Sequence, residues 1–199
     1  NASGLFYSGV GLGIFFSTLF VPGFNRLFMW EGVWIGLAVF SGVLAVLVWF
    51  SVKDFPDGNT IQANQNTGPP APPPKWLPWL TAAYGLEGLG YIVTGTFIVS
   101  IAEKTAIFRF DPAVVWMAVG LGAIPSCILW STLAKQRGFV KALFAAMILQ
   151  AAGIALPVLW LSTAGLMISA LLFGATFMGI TTLATTLARQ MSPSNSSRT

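Results

Sequence analysis

The 199 residues are 55% hydrophobic and 8% charged, with ten Lys and Arg against six Asp and Glu for a net charge of +4; mean hydropathy is +0.77. A soluble domain of this size requires more surface charge, and ten cations without a run among them make no nucleic-acid footprint, so the composition is that of a multi-pass membrane protein with no nucleic-acid partner. The chain has no His and a single Cys; Ser-His and Cys-His catalysis, His-ligated metals and an internal disulfide are therefore excluded, and no enzymatic activity, cofactor or metal is expected.

Uncharged apolar stretches of about 20 residues are long enough to cross a hydrocarbon core of about 30 Å as helices. Six are present, at about 4–24, 32–52, 76–102, 112–133, 142–160 and 164–187. The first two are separated by a short break carrying Arg26 and Glu31, with Glu31 placed to begin the second helix. The last two form one uncharged block from Ala142 to Ala188, which as a single helix would be about 70 Å long and must fold back. Leu161-Ser162-Thr163, just beyond Pro157 and Trp160, is the predicted turn. Uninterrupted apolar runs lack the alternation of a membrane barrel, so the fold class is all-α, a polytopic transmembrane helix bundle.

Lys53 to Lys75 has a different composition, polar and Gly-containing and then Pro-Pro-Ala-Pro-Pro-Pro. It cannot bury apolar area and favours extended polyproline backbone, so it is expected to be a flexible linker. The predicted division is 1–52, a two-helix part; 53–75, the linker; and 76–199, a four-helix part. Loops alternate sides, which puts Lys53, Lys75, Lys135, Arg137, Lys141, Arg189 and Arg198 on one side and Arg26, Lys104 and Arg109 on the other. The side with seven cations is expected to be cytoplasmic, together with the linker and both chain ends. Asn1 reads as a cut end, with no signal peptide before the first span. Asp111-Pro112 marks the start of the fourth helix, since Asp caps helix amino termini and Pro is tolerated in the first turn.

One acidic or basic side chain lies deep inside a span: Glu87, within Ala83-Tyr84-Gly85-Leu86-Glu87-Gly88-Leu89-Gly90-Tyr91-Ile92-Val93-Thr94. An ionised carboxylate at membrane depth is costly by several kcal/mol, so such a group is protonated, paired or turned to a wet cavity. Tyr84, Glu87, Tyr91 and Thr94 recur at three- and four-residue intervals and share one helical face, while Leu86, Leu89 and Val93 occupy another. These four, with Gln150, are the candidate substrate or proton pathway. The bland alternative for Glu87 is a neutral carboxyl that only hydrogen-bonds a neighbouring helix.

Other features read as packing. The glycines at 85, 88, 90 and 95, and the small-residue spacings Gly9 to Gly13, Gly165 to Ser169, Ala170 to Gly174 and Ala175 to Gly179, permit close helix approach. Gly9-Val10-Gly11-Leu12-Gly13 lies inside an apolar span without the context of a dinucleotide fingerprint. Pro125 and Pro157 should bend their helices. Thr176, Thr181, Thr182, Thr185 and Thr186 are expected to bond their own backbone, and Cys127 to be a small packed thiol.

The stretch Ala83 to Phe97 resembles the YbfB/YjiJ-type branch of the major facilitator superfamily. The resemblance extends over nearly the whole chain: Gly9-Val10-Gly11-Leu12-Gly13 is similar to that branch's small-residue fifth helix, and the inner linker to its central loop. Leu133-Ala134-Lys135-Gln136-Arg137-Gly138 resembles the superfamily's basic cytoplasmic turn, with Lys135 in place of its acidic residue and Gln136 in place of its first basic one. That departure leaves Arg137 and Gly138 as orientation and turn elements. The resemblance implies a partial major-facilitator fold, helices five to ten of twelve, whose partners are the bilayer and the remaining helices. It also implies secondary transport of a small solute across the inner membrane by alternating access of two bundles, coupled to protons. A structural or assembly subunit of a membrane complex is the alternative reading; it should tolerate neutralisation of Glu87.

Overall fold

A computed structural model describes residues 2–51, 73–104 and 110–191. The linker expected at 53–75 lies outside these residues except for its last three, as do Lys53, Arg109 and Arg198. The described residues form α1 (Ala2–Ser51), a 3-10 turn (Pro74–Trp76), α2 (Leu77–Lys104), α3 (Ala113–Arg137), α4 (Phe139–Leu159) and α5 (Thr163–Met191), with no strand among them. Five of these helices are long and apolar enough to cross a membrane.

The first of the five is not straight. Met29 has φ 58° and ψ −171°, a conformation in which only glycine is comfortable. It reverses the chain within α1. The Phe20 and Phe40 rings stand 6.3 Å apart, whereas twenty residues of straight helix would separate them by about 30 Å. Phe24 packs at 3.1 Å from where a side chain would begin on Gly36, and Phe28 fills that place on Gly32. These pairs close symmetrically about the turn, so the chain after Met29 runs back antiparallel to residues 19–28.

Contacts divide the chain into two compact units: Leu19–Gly68, and Asn1–Thr18 together with Pro69–Thr199. In the second unit α5 is the central helix, with fifteen buried residues against two on α2. Contacts advance together along α3 and α5, from Val119 with Gly174 to Ser126 with Gly179, so these helices run parallel. The same holds for α2 and α4, as it must when successive helices alternate direction. Gly11 on the first arm of α1 meets α3 so closely that a side chain there would begin 2.5 Å from the Ile124 nitrogen.

The helix ends follow from local chemistry. Asp111 Oδ1 accepts from the Ala113 N–H at 2.9 Å, with Pro112 at the cap position of α3. Gly138 both ends α3 and begins α4; its φ of 93° and ψ of 145° suit glycine alone, and its N–H donates to the Ala134 carbonyl. The turn between α4 and α5 falls at 160–162, where Ser162 Oγ accepts from the Gly165 N–H at 3.0 Å and caps α5. Pro125 and Pro157 sit inside helices that continue beyond them. Every acidic or basic residue on the described helices lies within one turn of a helix end or of the break at Met29, Glu87 excepted.

Candidate functional site

Glu87 sits about a third of the way along α2, whose outer face is mostly apolar. Leu86, Leu89 and Ile92 are exposed, at 73%, 65% and 58%, as a helix bordering lipid requires. Tyr84, Glu87, Tyr91 and Thr94 are half-buried on the opposite face. The helical spacing read from the sequence therefore describes the real orientation of α2, with its one deep carboxyl turned to the other helices.

What it meets there is Gln150 of α4. Gln150 is buried, and its Nε2 donates to Glu87 Oε1 at 2.9 Å. The other two oxygens of the pair, Glu87 Oε2 and Gln150 Oε1, are buried and make no hydrogen bond. Two acceptors without donors, one on each partner, leave the pair short of hydrogen. Among the described residues no cation pairs with the carboxyl. On α4 the nearest charged residue is Lys141, nine positions or about 14 Å along the axis from Gln150, and α5 carries none between Thr163 and Ala188.

The remaining candidates separate. Tyr84 packs against an apolar cluster of Ala142, Leu143, Ala146, Ile180 and Leu183. Tyr91 belongs to a second cluster around Val115, Val119 and Phe173, and stacks on Phe177 with ring centroids 6.2 Å apart. Thr94 directs its hydroxyl to the Gly90 carbonyl of its own helix at 3.0 Å, which gives it a backbone role. Arg137 is exposed at the α3–α4 turn. An apolar cavity of about 410 Å³ lies near the start of α2, lined by Trp76, Trp79, Leu80, Val140, Leu143, Leu187 and Met191; none of the candidate residues borders it.

Sequence reasoning did not foresee the polar crossing of α3 and α5. Ser126 Oγ donates to the Ala175 carbonyl at 2.8 Å and accepts from the Gly179 N–H at 3.0 Å, bridging a donor and acceptor that a helix would pair with each other. Trp130 Nε1 adds a second bond to Ala175 at 2.7 Å. Cys127 is buried, its sulfur 3.2 Å from Thr182 Oγ1, as expected of a packed thiol. Thr176, Thr181, Thr182, Thr185 and Thr186 of α5 bond carbonyls of their own helix. The signal for this crossing was present only as Pro125-Ser126 and the spacing of Gly174 and Gly179. Among the described residues no cluster of His, Cys, Asp and Glu could hold a metal ion.

A family model described as uncharacterised MFS-type transporter YbfB matches residues 2–199. Neither a curated protein nor a solved structure matches the chain.

Proposed function

Since this chain belongs to the YbfB-type family of major facilitator transporters, we propose that it takes part in proton-coupled secondary transport of a small solute, with Glu87 as the coupling carboxyl. The observation that carries this reading is the position of Glu87. It is the one acidic or basic side chain of the described helices away from their ends and from the break at Met29, it faces Gln150 rather than lipid, and no cation among the described residues pairs with it. A proton is the remaining counter-charge, and a carboxyl that gains and loses it as helices move relative to one another is what alternating access coupled to a gradient needs.

The rest of the proposal follows the charge distribution. The side bearing Lys75, Lys135, Arg137, Lys141 and Arg189 faces the cytoplasm, together with the linker and both ends, in an inner membrane. Residues 1–52 and 76–199 belong to the two bundles that rock about the linker, and the working protein includes the remaining helices. Glu87→Gln keeps shape and hydrogen-bonding capacity but cannot exchange a proton. The reconstituted full-length variant should lose gradient-driven substrate accumulation while retaining substrate binding or exchange. Uptake with normal pH dependence would remove the coupling role and favour a purely structural carboxyl.

A further inference from the structure

The two unpartnered oxygens lie on the two partners of a single hydrogen bond, and that arrangement defines what is missing. An ionised carboxylate only accepts, and a carboxamide oxygen only accepts, so Glu87 Oε2 and Gln150 Oε1 cannot serve each other while Glu87 is charged. Each would remain buried without a donor, beside a charge held by one amide bond. One hydrogen on Glu87 Oε2 changes all of this. It removes the charge, turns one orphan into a donor, and gives the other orphan its donor.

We infer that Glu87 and Gln150 form a closed carboxyl–carboxamide ring around one bound proton, with Gln150 Nε2–H donating to Glu87 Oε1 and Glu87 Oε2–H donating to Gln150 Oε1. The planar ends of the two side chains already share one of these bonds at 2.9 Å, and the terminal torsions through which the second pair would close are soft. The groups around the ring do not compete for the proton's place. Tyr84 and Tyr91 lie one turn to either side on α2 and pack into apolar clusters. The nearest charged residue of α4 is Lys141, and α3 has none between Ala113 and Ala134.

The ring makes Gln150 a positioning residue and ties the proton to a helix contact. Only Ile98 and Ala102 of α2 are buried, both near its far end, so at the level of Glu87 the ring is the polar link between α2 and α4. Separating the two helices removes the carbonyl that accepts the carboxyl hydrogen and admits water in its place, and the proton leaves. Rejoining them requires a proton again. The ring itself stands on the geometry; its use in coupling rests on the transporter reading above.

Infrared spectroscopy of the chain in lipid vesicles at neutral pH tests this, because a neutral carboxylic acid has a carbonyl band separate from that of carboxylates. The wild type should show such a band at a hydrogen-bonded frequency, and Glu87→Gln should lose it. In Gln150→Met, which keeps the length but offers no acceptor, the band should move to higher frequency or give way to carboxylate. The exchanged pair Glu87→Gln with Gln150→Glu rebuilds the same ring with its acid on the other helix, and should restore the band near its original position. Absence of a neutral-acid band in the wild type, or a band indifferent to both the Met variant and the exchange, would overturn the ring. A band that behaves as expected, in a protein whose Glu87→Gln form transports with normal pH dependence, would leave the ring standing and remove the coupling role.

Discussion

Two helix contacts in this chain are built on opposite principles. Where α3 crosses α5, small residues let the backbones meet. A side chain on Gly174 would begin against the Val119 carbonyl, one on Gly122 against that of Leu171, and one on Gly179 against the Trp130 indole. Ser126 and Trp130 hydrogen-bond across this crossing to the backbone of α5. Where α2 meets α4, a carboxyl and a carboxamide share one bond and leave two oxygens over, on a helix whose outer face is exposed. Lipid tails are as apolar as the side chains they replace, so burial drives neither contact. Close packing with every polar group answered fixes the first in one geometry, while the second leaves two buried oxygens that one proton, on the reading proposed above, would join.

That contrast predicts an order of effects in reversible unfolding from lipid–detergent micelles. Gly174→Ala should be the most damaging, by about 3 kcal/mol, because its methyl group has no room beside the Val119 carbonyl and backbone must move on both helices. Near-normal stability would show that the crossing yields, and would erase the distinction between the two contacts. Ser126→Ala should cost about 1 kcal/mol, since the Gly179 N–H keeps the alternative of its own helix and Ala175 keeps Trp130. A loss as large as that of Gly174→Ala would make the hydroxyl, and not close approach, the basis of the crossing. Leu89→Ala on the outer face of α2 should change stability by less than about 0.5 kcal/mol, and a larger loss would show that this face is packed against protein.

Much of the fold was legible because membrane insertion is governed by single-residue properties. The spans, the turn near Ser162 and the capping role of Asp111 followed from apolar length, proline and charge. The reversal at Met29 was bracketed by Arg26 and Glu31, yet the residue that turns the chain is neither Gly nor Pro and carried no sign of it. Among the candidate site residues the helical period placed Tyr84, Glu87, Tyr91 and Thr94 on one face correctly, but it could not say that Thr94 bonds its own backbone or that the tyrosines enter separate apolar clusters. Gln150 was picked out as a polar residue in an apolar span; that it belongs to Glu87, 63 positions away, had no local signal.

The sequence by itself determined that this is a helical membrane protein and that Glu87 is its one deep carboxyl, because the free energy of a charge or an apolar run in hydrocarbon depends on the residue and its immediate neighbours. Tertiary structure alone decided which partner each polar group meets: Gln150 for Glu87, the Ala175 carbonyl for Ser126 and Trp130. Those pairings are set by how far each helix is rotated and how closely its neighbour approaches. Both depend on small and large residues meeting across helices, a property of pairs distant in the chain that no local pattern contains.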